Sequence, residues 1–256
     1  MKIKMSIYKL KTLEGTNTFV KKELLEKYPE IKITEEEKTS ISFESEIENI
    51  EEFRNLLSPT HIQNENKDIN LSKRDWRKEF IPAGIDPSLA YIMCMISELR
   101  ENDIVYDPFC GTSVLPITAL LYFNIKRVLC SDISGNAIVK SKVNFNAAHI
   151  PEDRYKIARS DINDVKFRKQ NIDVILSNLP FGIRVGNHEE NISAYEGLEK
   201  LARIVLRKKG KLILLTQEKV LLRETFKKDY WNVESIINVN EGGLYPEVFR
   251  IQRLSL

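Results

Sequence analysis

Ile172-Asp-Val-Ile-Leu-Ser-Asn178-Leu-Pro-Phe-Gly182 is the stretch whose reading decides the fold. The run from Ile172 to Leu176 is short, apolar and rich in β-branched residues, which predicts a buried strand. It stops abruptly at Asn178-Leu-Pro-Phe. Pro180 removes a backbone donor and fixes φ, and Gly182 releases the chain into a new direction. The result is a rigid turn at the carboxyl end of a strand, where open α/β sheets bind their ligands. The turn carries an amide oxygen on Asn178, a neighbouring backbone carbonyl and the aromatic face of Phe181. Two acceptors side by side suit an exocyclic amino group, a flat donor of two hydrogen bonds, and the ring suits the base that bears it.

Upstream, three more predicted strands end in acids. Asp103-Ile-Val-Tyr106 runs into Asp107-Pro-Phe-Cys-Gly-Thr-Ser113, a strand-to-helix turn, and the helix continues through Val114, Leu115, Ile117, Leu120 and Leu121. One glycine, Gly111, replaces the three of a dinucleotide fingerprint, so the turn suits a ligand with an amino-acid tail better than a pyrophosphate. Lys126–Asp132 closes on Asp132, 25 residues beyond Asp107, where an acid can accept both hydroxyls of a ribose. Tyr155–Asp161 closes on Asp161, a candidate acceptor for an adenine amino group, with the Ile162 amide beside it. Any one of these acids is an ordinary helix N-cap. At successive strand ends, with Asn178 at the fourth, they form one constellation.

The Asn178–Phe181 turn resembles the Asn-Pro-Pro-Phe/Tyr motif of S-adenosylmethionine-dependent amino-methyltransferases. The longer run Asn178–Gly186 is similar to the RNA guanosine-N2 branch, which includes the THUMP-domain tRNA methyltransferases. Asp107–Ser113 resembles the Asp-Pro-Phe-Cys-Gly-Ser-Gly motif of the same enzymes, with Ser113 at the second glycine and Thr118 where a glutamate stands deeper in the helix. Arg77 and the Pro82–Ala90 segment resemble their pre-core motif. The resemblance spans Arg77 to Arg253 and implies an α/β fold, a Rossmann-like seven-stranded methyltransferase domain whose last two strands, 232–239 and 248–254, are antiparallel. It implies S-adenosyl-L-methionine as cofactor, held by Pro82, Ala83, Asp107, Phe109, Cys110, Gly111, Thr112, Asp132, Ile133, Asp161, Ile162 and Asn178. Asn178, Leu179, Pro180 and Phe181 would be catalytic, and Phe181, Arg184 and Arg77 would touch substrate. The expected product is N2-methylguanosine in RNA, most simply tRNA, and no metal is expected. An adenine-N6 methyltransferase shares the same turn. A catalytically decayed RNA-binding or scaffold protein is the reading that Ser113, Thr118 and Leu179 favour.

The first sixty residues read as β-α-β-β-α, most of a small α+β, ferredoxin-like unit. A helix follows Gly15 with Phe19, Val20, Leu24, Leu25 and Tyr28 at helical spacing, and a second is expected over 47–57. The missing last strand is expected at Asp68–Leu71. Expected boundaries are an N-terminal domain over 1–60, a linker over 61–71 and the methyltransferase domain over 72–256. There is no room for a THUMP domain between them, which suggests a protein partner that supplies RNA recognition.

Hydrophobic residues make up 42% of the 256, enough for a full core. A net charge of +2 neither requires nor excludes nucleic acid, since only local patches steer. The 200–230 stretch, with 10 Lys/Arg against 3 Asp/Glu, reads first as ordinary exposed helix faces and second as a candidate RNA-backbone surface. Asn187–Asn191 reads as a polar loop. An odd set of three cysteines, Cys94, Cys110 and Cys130, fits a reducing compartment, and a cytoplasmic protein is expected. No run approaches the ~18 apolar residues of a membrane span.

Overall fold

Alternation along the central strands sorts the larger core into two layers. In the computed structural model, which describes residues 5–82, 84–166, 171–181, 188–240 and 243–254, Val174 and Leu176 point to one face of the sheet and Ile175 to the other. Ile213 and Leu215 likewise face opposite to Leu212 and Leu214, the two-residue period of a sheet covered on both sides. The chain order is β1 (Ser6–Lys11), α1 (Asn17–Lys27), β2 (Lys32–Glu37), β3 (Ser40–Ser45), β4 (His61–Gln63), β5 (Asp68–Asn70), then α2 (Pro87–Ile96), β6 (Ile104–Asp107), α3 (Val114–Tyr122), β7 (Arg127–Asp132), α4 (Gly135–Ala147) and β8 (Tyr155–Arg159). It continues with β9 (Ile172–Asn178), α5 (His188–Val205), β10 (Leu206–Thr216), α6 (Lys219–Thr225), β11 (Trp231–Asn238) and β12 (Glu247–Arg253).

The seven-stranded sheet has the order β11-β12-β10-β9-β6-β7-β8. Strands β8, β7, β6, β9 and β10 are parallel, and β12 inserts antiparallel between β10 and β11. This is the Rossmann-like architecture with an antiparallel final pair that the sequence implied. Asp86 caps α2 by accepting from the Ser88 and Leu89 amides, with Pro87 in the first turn, as expected. The 188–191 segment is helix rather than loop, because Glu189 and Glu190 complement the amino-terminal dipole of α5. Cys94, Cys110 and Cys130 are free and buried.

The small sheet has the order β2-β3-β1-β4-β5, antiparallel throughout, around Tyr8, Phe43 and Phe53. Three expectations are corrected here. The predicted second helix is a 3₁₀ turn over Ile50–Asn55. Its buried residues Ile50, Phe53 and Leu56 recur every third position, which matches about three residues per turn rather than 3.6. The fourth strand of the unit is His61–Gln63, which pairs with β1, and Asp68–Asn70 adds a fifth strand outside it. The 61–71 segment expected as a linker is therefore the edge of the small sheet. Each of these strands is three residues long with a single buried Ile, too short to show an alternation.

The small sheet is anchored firmly to the large one. Leu13 and Phe19 pack into the core that holds Val239 and Val248. Glu23 is buried and accepts from the Leu57 and Ser58 amides and the Ser58 hydroxyl, while Arg74 donates to the Leu57 and Leu71 carbonyls. At the closest approach Gly15, at φ +89°, lies against the Asn238 carbonyl, leaving no space for a methyl group. Gly15→Ala should cost at least about 2 kcal/mol through backbone strain and this collision. That is a melting temperature lowered by roughly 4 °C or more in a thermal scan.

Candidate functional site

The strand order reverses at β6. The chain leaves β6 for β7 and β8 on one side and returns to β9 on the other, opening a crevice at the carboxyl ends of β6 and β9. A cleft of about 910 Å³ occupies it. Asp107, Asp132, Asp161 and Asn178, the predicted strand-end constellation, all line this one cleft. So do Arg77, Pro82, Phe109, Cys110, Gly111, Thr112, Ile133, Ile162, Leu179, Pro180 and Phe181. Ala83 and Arg184 lie outside the described residues.

Asp107 is 2% exposed. Its Oδ1 accepts from the Ser177 hydroxyl at 2.6 Å and from the Phe109 amide at 3.1 Å, while Oδ2 has no hydrogen-bond partner among the described residues. Burial pushes its carboxyl up to about 7, against the pull of those two donors. Asp132 grips two backbone amides, Gly111 through Oδ2 and Ser134 through Oδ1, both at 2.8 Å. Burial raises its carboxyl too, with the two amides acting in the opposite sense. Asp161 accepts from the Asn163 amide and side chain and caps a short 3₁₀ turn.

Two left-handed positions shape the glycine turn. Gly111 has φ +52°, and a Cβ there would stand 2.7 Å from Ile81 Cδ1. Ser113 has φ +62°, a conformation that glycine adopts without strain. The Ser113 side chain compensates with a 2.5 Å hydrogen bond to Ser141 of α4. This is why the resembling motif has glycine here and why serine is tolerated. Thr118 is buried inside α3, away from the cleft.

The Asn178 turn is held from behind. The Leu179 amide donates to the Leu215 carbonyl at 3.0 Å. Tyr195, fully buried on α5, donates to the Pro180 carbonyl at 3.0 Å and shares a 2.7 Å hydrogen bond with Thr216. Among the described residues nothing donates to the Leu179 carbonyl. Sequence reasoning missed Tyr195, Thr216 and Ser177, and it missed Asn144. Asn144 Oδ1 accepts the Lys78 and Glu79 amides, both at 2.9 Å, and its Nδ2 donates to the Glu79 and Thr112 carbonyls. It thereby fastens the pre-core segment over the glycine turn.

The basic 200–230 stretch does not border the cleft. Arg203, Arg207, Lys211, Lys219 and Arg223 pair with Glu199, Asp173, Glu98 and Glu247. Lys208 and Lys209 sit at the amino-terminal end of β10, opposite the end that carries the site. Among the described residues no helix is long and apolar enough to cross a membrane.

Residues 74–247 match the family model described as RMKL-like, methyltransferase domain. The mouse tRNA (guanine(6)-N(2))-methyltransferase THUMP3 is 25% identical over 188 residues, covering 68% of this chain and 37% of that protein. The Methanocaldococcus jannaschii tRNA (guanine(6)-N2)-methyltransferase is 22% identical over 219 residues, 71% of this chain and 57% of that one. This chain thus spans between about a third and three-fifths of the length of these curated relatives. TrmN from Thermus thermophilus superposes with a TM-score of 0.82 at 16% identity, covering 98% of this chain and 100% of that one. SMU.472, solved in complex with SAH, gives 0.78 at 15% identity and covers 100% of both chains. At these identities the two structures speak to the fold alone.

A titration test follows from Asp107. Its carboxyl rises from 3.8 in the unfolded chain to about 7 in the fold, so folding favours the protonated form. That contribution is fully present below about pH 4 and is lost as pH rises through about 7. Asp107→Asn, isosteric and uncharged, should melt above the wild type at pH 8, with the gap closing toward pH 4; thermal scans across that range check it.

Proposed function

The chain belongs to the RMKL-like methyltransferase domain family, and from that premise we propose that it transfers a methyl group from S-adenosyl-L-methionine to the N2 amine of a guanosine in RNA, with tRNA as the substrate class. The single observation that carries the reading is the Asn178–Phe181 turn, held rigid by Leu215 and Tyr195, opening onto a cleft lined by Asp107 and Asp132.

The residues present fit the cofactor. Asp107, a buried residue on the cleft wall, offers a carboxylate oxygen with no hydrogen-bond partner among the described residues, which an ammonium group would satisfy. Asp132 keeps lone pairs for two ribose hydroxyls beyond its two amides. Ile133, 63% exposed at the rim, and Ile162 supply apolar contact for a purine. When bound, the cofactor supplies an electrophilic methyl group on a sulfonium.

The protein's part is positioning. The Asn178 side-chain oxygen and the Leu179 carbonyl accept the two N–H bonds of the exocyclic amine, which leaves its lone pair free to attack. Phe181 covers a face of the base. Holding the amine at near-attack distance and excluding water supply most of the acceleration such a site can give. The turn contains no strong base, and none is needed, because the methylated amine releases its proton readily afterwards. A base paired in a duplex is flipped out first. The guanine-N2 specificities in the names of the curated relatives support guanosine over adenine. A protein partner supplying further RNA recognition, and action in the cytoplasm, belong to the same proposal. The cleft's lack of a bordering basic stretch supports the first, and three free cysteines support the second.

Calorimetric titration of S-adenosyl-L-methionine should give saturable binding to the wild type and none to Asp132→Ala. Nucleoside mass spectrometry of tRNA incubated with enzyme and cofactor should detect N2-methylguanosine. Asn178→Ala should lower the rate by about 100-fold or more, the scale set by removing one well-placed polar group. N6-methyladenosine as product would replace the guanosine reading, and a folded wild type that binds no cofactor would overturn the enzymatic one.

A further inference from the structure

An RNA substrate meets an electrostatic difficulty at this cleft. The described residues lining it include five carboxylates, Asp86, Asp107, Asp132, Asp161 and Glu190, and one cation, Arg77. A phosphate backbone following its nucleotide to the cleft therefore needs positive charge at the mouth. Among the described residues Arg77 is the cation in position, and it makes no direct ion pair there: burial lowers its affinity for the proton, the Asp86 carboxylate acts on it only from a distance, and its Nε is buried with no partner among the described residues. Gly84 keeps space for it, since a Cβ there would stand 3.3 Å from Arg77 Nη2.

The Arg77 guanidinium lies 4.7 Å from the centre of the Phe80 ring. Phe80 is 55% exposed, an unusual setting for a phenylalanine. Its exposure is not a consequence of loose backbone. Asn144 holds the Lys78 and Glu79 amides and the Glu79 carbonyl, and Lys140 Nζ donates to the Phe80 carbonyl at 2.7 Å. The ring is thus presented to solvent on a segment clamped to α4 at three successive residues. Lys140, whose Nζ meets the Phe80 carbonyl, brings a positive charge to the same segment and is also 3.6 Å from Glu79.

An exposed aromatic ring backed by an arginine that makes no direct ion pair among the described residues, on preorganised backbone, is a stacking surface for a nucleobase. We infer that Phe80 and Arg77 form a second nucleotide subsite, in which Phe80 stacks the base adjacent to the target guanosine and Arg77, between the ring and the cleft, holds the intervening phosphate. This rests on the RNA methyltransferase reading for the identity of the polymer. It adds to that reading a fixed grip on the neighbouring nucleotide, which keeps a flipped target in the cleft without reading its sequence.

The test uses a short single-stranded RNA with one guanosine flanked on each side by 2-aminopurine, whose fluorescence is quenched on stacking. Titration with the full chain in the presence of S-adenosylhomocysteine should quench the probe. Phe80→Ala should abolish the quenching and raise the KM for RNA about tenfold, the scale of one lost base–aromatic stack. Its calorimetric affinity for S-adenosyl-L-methionine should equal that of the wild type, and Phe80→Tyr should restore both RNA readouts. Arg77→Gln should weaken RNA binding and flatten its salt dependence by roughly one phosphate contact. Quenching and KM unchanged in Phe80→Ala would overturn the subsite. So would a parallel loss of cofactor affinity, which would assign Phe80 to the cofactor side. The fluorescence readout needs no methyl transfer. Quenching by a wild type that methylates no RNA would therefore retain the subsite and reject the catalytic reading, and methylation without quenching would do the reverse.

Discussion

The hydrogen bond from the Ser177 hydroxyl to Asp107, 2.6 Å long and fully buried, is the constraint on which the site depends. It joins the end of β6 to the end of β9 at the point where the sheet changes direction, so the glycine turn and the Asn178 turn hold a fixed relation. Among the described residues the same bond and the Phe109 amide are the groups offsetting the burial of that carboxylate, and they offset it incompletely, since its proton affinity remains well above that of an exposed aspartate. A fold optimised for stability alone would place an amide or an apolar residue here. Keeping an acid makes the fold less stable here near neutral pH, and on the proposed function a cationic ligand group relieves it. Affinity at this position is thus built from an unfavourable burial in the folded protein.

Around that bond the supports run in two directions. Behind the Asn178 turn, Tyr195 reaches from α5 to the Pro180 carbonyl and Thr216, so the helix that covers one face of the sheet also sets the turn's geometry. Over the glycine turn, Asn144 reaches from α4 to Glu79 and Thr112, so the helix on the opposite face sets the cleft's other wall. Asp132 ties the glycine turn to the start of α4 by holding the Gly111 and Ser134 amides together. Each loop of the site is therefore positioned by a side chain from regular structure, which is how loops can hold reacting groups without ordering them anew at each turnover.

What was legible in the sequence is what leaves a local signature. The strand-end acids, Pro87 behind Asp86 and the Asn178 turn are marked by residue type and by the period of the apolar residues beside them. The groups that escaped notice act across the fold. Tyr195 and Asn144 are ordinary helix residues whose partners lie 15 and 65 positions away, and nothing in their neighbourhood announces those partners. The small sheet was half legible for a related reason. Its β1 and β3 alternate over six residues each, whereas β4 and β5 have three and take their place only by pairing with β1 and with each other. The 3₁₀ turn was within reach, because Ile50, Phe53 and Leu56 repeat at three rather than at three and four.

Charge misled the sequence reading most, and the way it did so bears on substrate recognition. Part of the basic stretch, Arg207 to Lys211, lies toward the amino terminus of β10, away from the site at its carboxyl terminus, and Arg207 and Lys211 are ion-paired there. Paired arginines such as Arg203 and Arg207 spend their charge within the fold and attract little from outside it. Among the described residues, the cation that lines the cleft is Arg77, next to the segment that Asn144 clamps. A polyanion is then not drawn in by a broad positive field. On the proposed function an RNA is then held by few, well-placed contacts close to the reacting nucleotide, with a larger recognition surface supplied from outside the cleft. On the proposed function this division follows from where the sheet puts its ends: the carboxyl end gathers acids suited to a cationic, hydroxyl-bearing ligand, and among the described residues Arg77 is the cation beside them.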